Sequence, residues 1–331
     1  MKIDCYTHVM PQNFYARLKA AMTGPDYLSG LLESMPELAD MDARIAIMDD
    51  LGIDQQVITL SSPPLEVAIE SPQLAAELAR VANDEIAAMA ANRPDRFIPV
   101  AIVAMNNPRS MAQEARRCIT ELGMKGVLIY TSAKGKPLDL PEFQEFFALM
   151  ADLDAPIWLH PARGGNQADY AGEDASKYWI WQVFGWPYET TAAMTRLVFD
   201  GLFDRHPDIK IITHHAGAML PFFDKRVEWV YDRQSMPELD QAREKLQRKP
   251  SDYFRMFYND TALMGSIAGM QAAYAFFGAD RLLFGTDTPF DGMGGEGFTA
   301  DTLKSIEAMP IPPAERQAIY AGNLQRIIGA G

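Results

Sequence analysis

Four of the five histidines in this 331-residue sequence stand at the ends of β-rich runs. His8 ends the run KIDCYTH and His160 ends PIWLH, while the pair His214 and His215 ends IKIITHH. A carboxylate, Asp287, closes the run RLLFGTD in the same way. Imidazole nitrogens and one carboxylate are the ligands of a zinc-like divalent ion that keeps coordination positions open for chemistry. Such an ion polarises a carbonyl or carboxylate and lowers the pKa of a bound water.

The elements that must position these side chains alternate between short β-rich runs and longer stretches of helical periodicity. This alternation is typical of parallel β/α units, and eight units match the size of a (β/α)8 TIM barrel of the α/β class. An open doubly wound sheet is the alternative, although no GxGxxG motif follows the first run. The β-rich runs cover residues 2–8, 55–60, 96–103, 125–130, 156–160, 209–215, 256–261 and 281–287. Helices are expected over 42–52, 71–94 and 110–123.

A closed barrel would gather the polar strand ends, because the carboxyl ends of its parallel strands all face one mouth. We expect His8, His160 and Asp287 to meet there as three metal ligands. His215 should lie beside them at the same mouth.

Two long segments after strands should cover this mouth, because the loops that follow parallel strands form the active-site face. They span about residues 9–41 and 161–190, and the second is rich in aromatic side chains. Among these, Trp186 is a candidate to stack on a flat substrate, although an aromatic side chain there also fits simple packing. We expect one domain over residues 1–331, since no linker or low-complexity tract divides the sequence.

Charge and cysteine content restrict the partners and the compartment. Lys and Arg total 30 against 44 Asp and Glu, so the net charge of −14 argues against nucleic acid and anionic membranes as partners. Two cysteines, Cys5 and Cys118, are too few for a disulfide framework, which fits a reducing cytoplasm. The sequence shows neither the apolar segment of a signal peptide at its start nor a run of 18 apolar residues.

Four motifs in order along the chain resemble those of a known family. They are IDxxxH in the first run, LHP in the fifth, HHAGAMLP in the sixth and LLxGxDxPF in the eighth. Together they resemble the amidohydrolase superfamily, in particular its aminocarboxymuconate-semialdehyde decarboxylase-like branch. The resemblance covers essentially the whole chain, and the sixth and eighth motifs are specific in combination.

The resemblance implies two first-strand ligands spaced two residues apart, since alternate strand residues point the same way. Here Tyr6 and His8 have that spacing, and Tyr6 replaces the His or Glu of relatives. One ligand is therefore absent or is a phenol, and we place Tyr6 among the substrate-binding residues. The family spacing from histidine to proline selects His215 as the base or hydrogen-bond donor beside the metal. Strand alternation would point His214 to the other side, in a packing or hydrogen-bonding role.

Further candidate site residues follow from their positions after the strands, and one follows from the resemblance. Arg163, in HPARGG, is suited to grip a carboxylate through its planar guanidinium. Arg226 matches a position that reaches the substrate across a dimer interface in the resembling decarboxylases. The alternative for both is a surface arginine in a salt bridge. Asp260 is expected either to orient His215 or to cap the following helix.

The favoured hypothesis is a cytoplasmic decarboxylase of a small unsaturated or aromatic, hydroxylated acid, with a divalent metal and no organic cofactor. Zinc is the expected metal and manganese the alternative. His215 would move the proton, and Asp287 would act as ligand and proton carrier in turn. The second hypothesis is a hydrolase or lactonase that uses the same site, and the third is a catalytically silent ligand-binding barrel. The expected partners are a small carboxylate substrate and a second copy of the chain in a homodimer or larger symmetric homo-oligomer.

Overall fold

Parallel strands form a barrel in the computed structural model, which describes residues 1–22, 30, 34–60 and 63–329. Hydrogen-bonded pairing joins β1, β2 and β3 in one sheet and the continuation of β3 with β4 to β7 in a second. The strands are β1 (Ile3–Val9), β2 (Gln55–Leu60), β3 (Phe97–Pro99, continued as Ala101–Ile102), β4 (Val127–Tyr130), β5 (Ile157–His160), β6 (Ile211–Thr213) and β7 (Tyr258–Asn259). A small hairpin, Ser132–Ala133 with Lys136–Pro137, follows β4.

Residues 282–288 take the eighth place and close the barrel. The Leu283 N–H donates to the Asn259 carbonyl at 2.8 Å on one side, and the His8 N–H donates to the Thr288 carbonyl at 2.9 Å on the other. The expected (β/α)8 barrel is confirmed. The strand expected at 281–287 is, however, an extended segment with isolated ladder pairs at its two ends rather than a regular strand.

The three helices expected between the strands are present, with shifted ends. The best-marked one begins after Ser71, whose Oγ accepts a hydrogen bond from the Leu74 N–H at 3.3 Å, and Pro72 holds its first position. The helices of the described residues are Gln12–Ala21, Met41–Leu51, Leu65–Ala68, Pro72–Asn92, Pro108–Thr120, Gln144–Asp152, Ile180–Val183, Gly185–Phe199, Leu202–Arg205, Leu220–Arg233, Pro237–Lys245, Pro250–Phe254, Ile267–Phe277, Glu296–Glu307, Pro313–Gln317 and Asn323–Ile327, with short 3₁₀ or π turns at Pro36–Leu38, Pro141–Phe143, Ala279–Arg281 and Ala318–Gly322. No helix among them has the length and apolar composition needed to cross a membrane.

Both segments expected to be long loops contain helical structure. In the segment 9–41 the helix Gln12–Ala21 follows β1 directly, and residues 23–29 and 31–33 lie outside the described part. The segment 161–190 is irregular only to Trp179, after which the helices Ile180–Val183 and Gly185–Phe199 begin. Pro187 does not prevent this, because proline is tolerated in the first turn of a helix.

Trp158 fills the barrel interior and links two of its sides. This fully buried β5 residue donates from its indole Nε1 to the Cys5 carbonyl of β1 at 2.8 Å. Gly126, at the start of β4, leaves room for the ring, because a Cβ built there would lie 2.3 Å from Trp158 Cζ3. The absence of a side chain at one residue thus permits the largest buried side chain of the barrel.

The substitution Trp158→Phe should lower the free energy of unfolding by about 1–3 kcal/mol. It removes the donor to the Cys5 carbonyl and leaves space beside Gly126. Urea unfolding followed by far-ultraviolet circular dichroism measures the change, with Trp229→Phe as the matched control, because the Trp229 side chain is half exposed. Equal unfolding midpoints for the two variants would contradict this account of the barrel interior.

Candidate active site

The polar strand ends converge at one mouth of the barrel. The candidate ligand atoms of His8, His160 and Asp287 all lie within 4.8 Å of one another, and those of His214, His215 and Asp287 satisfy the same limit. All five side chains are buried. The expected meeting of His8, His160, His215 and Asp287 is therefore what the structure shows, and His214 joins them.

Backbone carbonyls orient two of the imidazoles. Nδ1 of His8 lies 3.1 Å from the Leu60 carbonyl oxygen, and Nδ1 of His160 lies 2.7 Å from the Pro161 carbonyl oxygen. A carbonyl oxygen only accepts, so Nδ1 carries the proton in each neutral ring and Nε2 keeps its lone pair. Burial, followed by the nearby His214 and His8, lowers the pKa of His160 well below its ordinary value, so its ring is neutral.

Asp287 lies at the centre of the cluster in a strained backbone conformation. Its φ of 67° falls in the left-handed region, and its N–H donates to the Tyr6 carbonyl at 2.9 Å. One carboxylate oxygen, Oδ1, lies 3.3 Å from Nε2 of His8. Burial alone would raise the pKa of Asp287, but His214 and His8 more than offset it and hold this pKa well below the ordinary value.

His214 points into the site, so the expectation that it faces the other side of the strand is wrong. β6 ends at Thr213, and His215 has a φ of 58°, so strand alternation does not extend to the two histidines. Nε2 of His214 lies 3.4 Å from Asp287 Oδ1. Its Nδ1 makes a short hydrogen bond to Asp260 Oδ2.

Asp260 therefore orients His214 rather than the expected His215. Its second oxygen, Oδ1, accepts hydrogen bonds from the N–H groups of Ala216 and Ala262, each at 3.0 Å. These bonds hold the Asp260 carboxylate between the turn after β6 and the chain after β7. The alternative role, capping the following helix, is wrong, because that helix, Ile267–Phe277, begins after Ser266, whose Oγ accepts from the Gly269 N–H at 3.2 Å.

The two buried carboxylates, Asp260 and Asp287, favour a positive charge at His214. Burial lowers the pKa of this imidazole, but Asp260 and Asp287 outweigh burial and raise its pKa to about 10. For His215, burial and the neighbouring His214 lower the pKa to about 4, so its ring is neutral at neutral pH. A proton or a metal ion can supply the charge that Asp260 and Asp287 require.

Tyr6 lies against His214 with its hydroxyl unpaired. The two rings are stacked, with centroids 4.1 Å apart and planes 12° apart, and the Tyr6 ring centre is 5.7 Å from that of His8. Its buried hydroxyl has no hydrogen-bond partner among the residues that the structure describes. Burial, followed by the charges of Asp260 and Asp287, raises the Tyr6 pKa well above its ordinary value. The side chain is therefore a neutral phenol with a free O–H donor.

These residues fit a divalent metal ion. Buried polar atoms normally have hydrogen-bond partners, yet Nε2 of His8 and Nε2 of His214 have none within the described residues. Both atoms face Asp287, whose carboxylate is ionised. Imidazole nitrogens gathered beside an ionised carboxylate in a buried pocket are the donor set that a divalent cation requires, and the cation would take the place of the proton on His214.

An aromatic cover, Trp181 and Trp186, closes one side of the cluster. The Trp186 ring contacts the edge of His160 at a centroid distance of 5.5 Å and lies 6.0 Å from the ring of His215. Trp181 packs on Trp186 at 5.4 Å, and Trp186 Nε1 donates to the Arg163 carbonyl at 2.8 Å. Trp186 thus lines the site at the place expected for a substrate-stacking residue.

The two candidate substrate arginines lie in other settings. Arg163 uses its guanidinium within its own loop, where Nη2 donates to the carbonyls of Gln167 at 3.3 Å and Ala168 at 3.0 Å. Arg226 is exposed on the helix Leu220–Arg233 and forms no salt bridge with the described residues. Substrate contact by either arginine stays a prediction.

Comparison with known proteins decides the family. The family model described as Amidohydrolase matches residues 3–329. This chain belongs to the amidohydrolase family.

Named relatives of this amidohydrolase confirm the expected decarboxylase-like branch. The gamma-resorcylate decarboxylase of Rhizobium radiobacter is 33% identical over 84% of this chain and 86% of its own length. The 2-amino-3-carboxymuconate-6-semialdehyde decarboxylase of Dictyostelium discoideum is 28% identical over 99% of this chain and 92% of its own. A crystal structure of dihydroxybenzoic acid decarboxylase from Polaromonas sp. JS666, with bound manganese and the inhibitor 2-nitroresorcinol, has a TM-score of 0.80 and 30% identity, covering 99% of this chain and 96% of that one.

Sequence reasoning missed Glu189. This residue anchors the covering segment of the amidohydrolase, residues 161–190, to the barrel. Its Oε2 accepts from the N–H groups of Ala162 at 2.6 Å and Arg163 at 2.8 Å, and from Thr131 Oγ1 at 2.8 Å. The helix Gly185–Phe199 thereby holds the chain just after β5 against the end of β4. A lone glutamate in a helical stretch gave no signal for this, because its partners are backbone groups distant in sequence.

The substitution Glu189→Gln should loosen the segment 161–190, because an amide oxygen is a weaker acceptor than a carboxylate oxygen for three donors. We expect about a tenfold faster amide exchange at Ala162 and Arg163, equivalent to about 1.4 kcal/mol. Hydrogen–deuterium exchange with mass spectrometry measures this. Glu173→Gln is the control, since Glu173 forms an ion pair with the exposed Lys177 and lies away from Ala162 and Arg163 in the sequence. Equal exchange in both variants would refute the proposed anchoring.

Proposed function

We propose that this amidohydrolase is a metal-assisted decarboxylase of a small hydroxylated aromatic carboxylic acid. The carrying observation is the convergence of His8 and His160 lone pairs with the Asp287 carboxylate at one buried point beneath an aromatic cover. Relatives of the same family support the reaction type, since the two named above are decarboxylases. The dihydroxybenzoic acid decarboxylase supports a hydroxylated benzoate as the substrate class.

His8, His160 and Asp287 are the residues that would hold the metal. When bound, a divalent ion supplies a Lewis acid for the substrate's carboxylate and hydroxyl oxygens. We place manganese before zinc because the Polaromonas structure contains manganese at 30% identity. The proposal needs no organic cofactor.

The aromatic cover and Tyr6 would orient the substrate. Trp186 offers a ring face above the cluster, where a flat aromatic acid can stack and water is excluded. The free Tyr6 hydroxyl would donate a hydrogen bond to a substrate oxygen, which gives this buried donor the partner it lacks in the protein.

His215 is the residue we assign to proton movement. In the reaction the bond between the ring carbon and the carboxylate breaks, carbon dioxide leaves, and the ring carbon takes up a proton. His215 is neutral, buried beside Trp186, and has an unpaired Nδ1, so it can accept a proton at one nitrogen and release one from the other. Asp287 would carry the proton in turn.

A symmetric homodimer or larger homo-oligomer would bring Arg226 to a partner's site. Large apolar side chains are exposed beside it on the helix Leu220–Arg233, where Phe222 is 80% and Trp229 is 50% exposed. Tyr178 and Phe184 are exposed in the covering segment. Such side chains mark an association surface, and the arginine that they surround would be free to contact a carboxylate.

The remaining proposals concern partners and compartment. The net charge of −14 supports a small-molecule substrate rather than nucleic acid or an anionic membrane. Both cysteines, Cys5 and Cys118, are buried free thiols, which supports a reducing cytoplasm.

The protein loaded with Mn²⁺ should release carbon dioxide from 2,6-dihydroxybenzoate or another hydroxybenzoate, and a chelator should abolish the release. His160→Ala should lose both metal and activity, because it removes one of the proposed ligands. His206→Ala is the matched control, since His206 lies after the helix Leu202–Arg205, outside the cluster. Gas evolution from panels of hydroxybenzoates, unsaturated acids and lactones measures the reaction, and lactone opening without gas would favour the hydrolase instead.

Mixing two inactive variants should test the role of Arg226. Arg226→Ala and His160→Ala should each lose most activity alone. If Arg226 acts across the interface, a mixed dimer contains one site with both residues intact, so activity should return on mixing and subunit exchange. Assays before and after exchange measure this. Failure to recover activity in dimers shown to be mixed would place Arg226 outside the partner's site.

A further inference from the structure

Tyr6 stands where the family pattern places a second β1 ligand, and His214 lies directly against it. We infer that His214 supplies this missing ligand, so that His8, His160, His214 and Asp287 together hold the metal. The inference rests on the proposed metal-assisted function and deepens it. It assigns the ligand position that Tyr6 leaves open on β1 to a histidine that follows β6.

The three histidines share one hydrogen-bonding arrangement. Nδ1 of His8 and of His160 each face a backbone carbonyl, and Nδ1 of His214 faces the Asp260 carboxylate. An oxygen acceptor at Nδ1 fixes the proton there and turns the Nε2 lone pair toward the site. This is the usual environment of a metal-ligating histidine, whose other nitrogen donates to a carbonyl or carboxylate.

Asp287 offers the same carboxylate oxygen to both His8 and His214. Nε2 of His8 lies 3.3 Å and Nε2 of His214 lies 3.4 Å from the same oxygen, Asp287 Oδ1. Two ligands each about 2.1 Å from one tetrahedral ion stand about 3.4 Å apart. Both separations therefore match the edge of a coordination shell, and neither Nε2 has a hydrogen-bond partner in the described part of the chain.

The neighbouring residues fit other roles. Tyr6 stacks its ring on the face of His214, so it supports the imidazole rather than replacing it. Nδ1 of His215 is buried and has no partner among the described residues, so none of these residues fixes its ring through Nδ1 as the other three rings are fixed. It stays available for the proton movement assigned above.

Pulsed electron paramagnetic resonance of the Mn²⁺-loaded protein should detect three coordinated imidazole nitrogens, against two if only His8 and His160 bind. Chelator competition should show Mn²⁺ affinity at least about 100-fold weaker in His214→Ala. Asp260→Asn should weaken it about 10–100-fold through lost orientation of His214. The matched controls His215→Ala and Tyr6→Phe should keep near-normal affinity.

A rescue variant tests the replacement directly. Tyr6→His in the His214→Ala background restores the family's paired β1 histidines, so Mn²⁺ affinity and the third nitrogen should return. The spectrum of the unmodified protein decides the ligand count even if a variant fails to fold.

Two results would overturn the inference: two imidazole nitrogens in the unmodified protein, or normal affinity in His214→Ala with loss in His215→Ala or Tyr6→Phe. In either case a protein that still binds one Mn²⁺ and releases carbon dioxide leaves the proposed function standing. Failure of the unmodified protein to bind a divalent metal would instead remove the proposed function together with the inference.

Discussion

Two carboxylates that are almost completely buried, Asp260 and Asp287, determine which groups can lie at the mouth of the barrel. A buried negative charge is costly unless hydrogen bonds and positive charge compensate it. Backbone N–H groups and His214 compensate Asp260, and His8 and His214 surround Asp287. The positions of the imidazoles are therefore part of what makes the core possible. The same arrangement gathers imidazole nitrogens around the Asp287 carboxylate.

The backbone adopts unfavourable conformations to build this arrangement. His215, Ala216 and Ala218 after β6 and Asp287 in the eighth segment all have φ values between 54° and 67°. Each such residue costs about 1–3 kcal/mol and persists only where the surroundings determine it. Here the turn after β6 lets two consecutive histidines point into one pocket, which a regular strand forbids. The turn after β6 is thus the source both of the strained backbone and of the convergence of the two histidines.

The sequence predicts the barrel and much of the site because both follow from periodicity. Strand ends carry His8, His160 and Asp287, and closure of the barrel makes their meeting a geometric consequence. His214 was misplaced because alternation holds only within a strand, and β6 ends one residue before it. The positive φ of His215, a non-glycine residue, leaves no mark in composition or spacing.

The settings of the arginines and of Glu189 were beyond sequence reasoning for a different reason. Arg163 binds carbonyls of its own loop, and Glu189 binds backbone N–H groups after β5. Side-chain bonds to the backbone depend on the path of the chain, and the sequence pattern does not report that path. The irregular eighth segment is a similar case, since its hydrogen bonds are shared with β1 and β7 rather than formed in long ladders.

The closing segment has a consequence for the order in which the enzyme matures. His8 lies near the start of the chain and Asp287 near its end, and the Asp287 N–H bonds to β1 at Tyr6. The cluster of His8, His160 and Asp287 therefore forms only after the segment that contains Asp287 has been synthesised and has paired with β1. A ligand that binds only this closed form would add its binding free energy to the stability of the finished barrel.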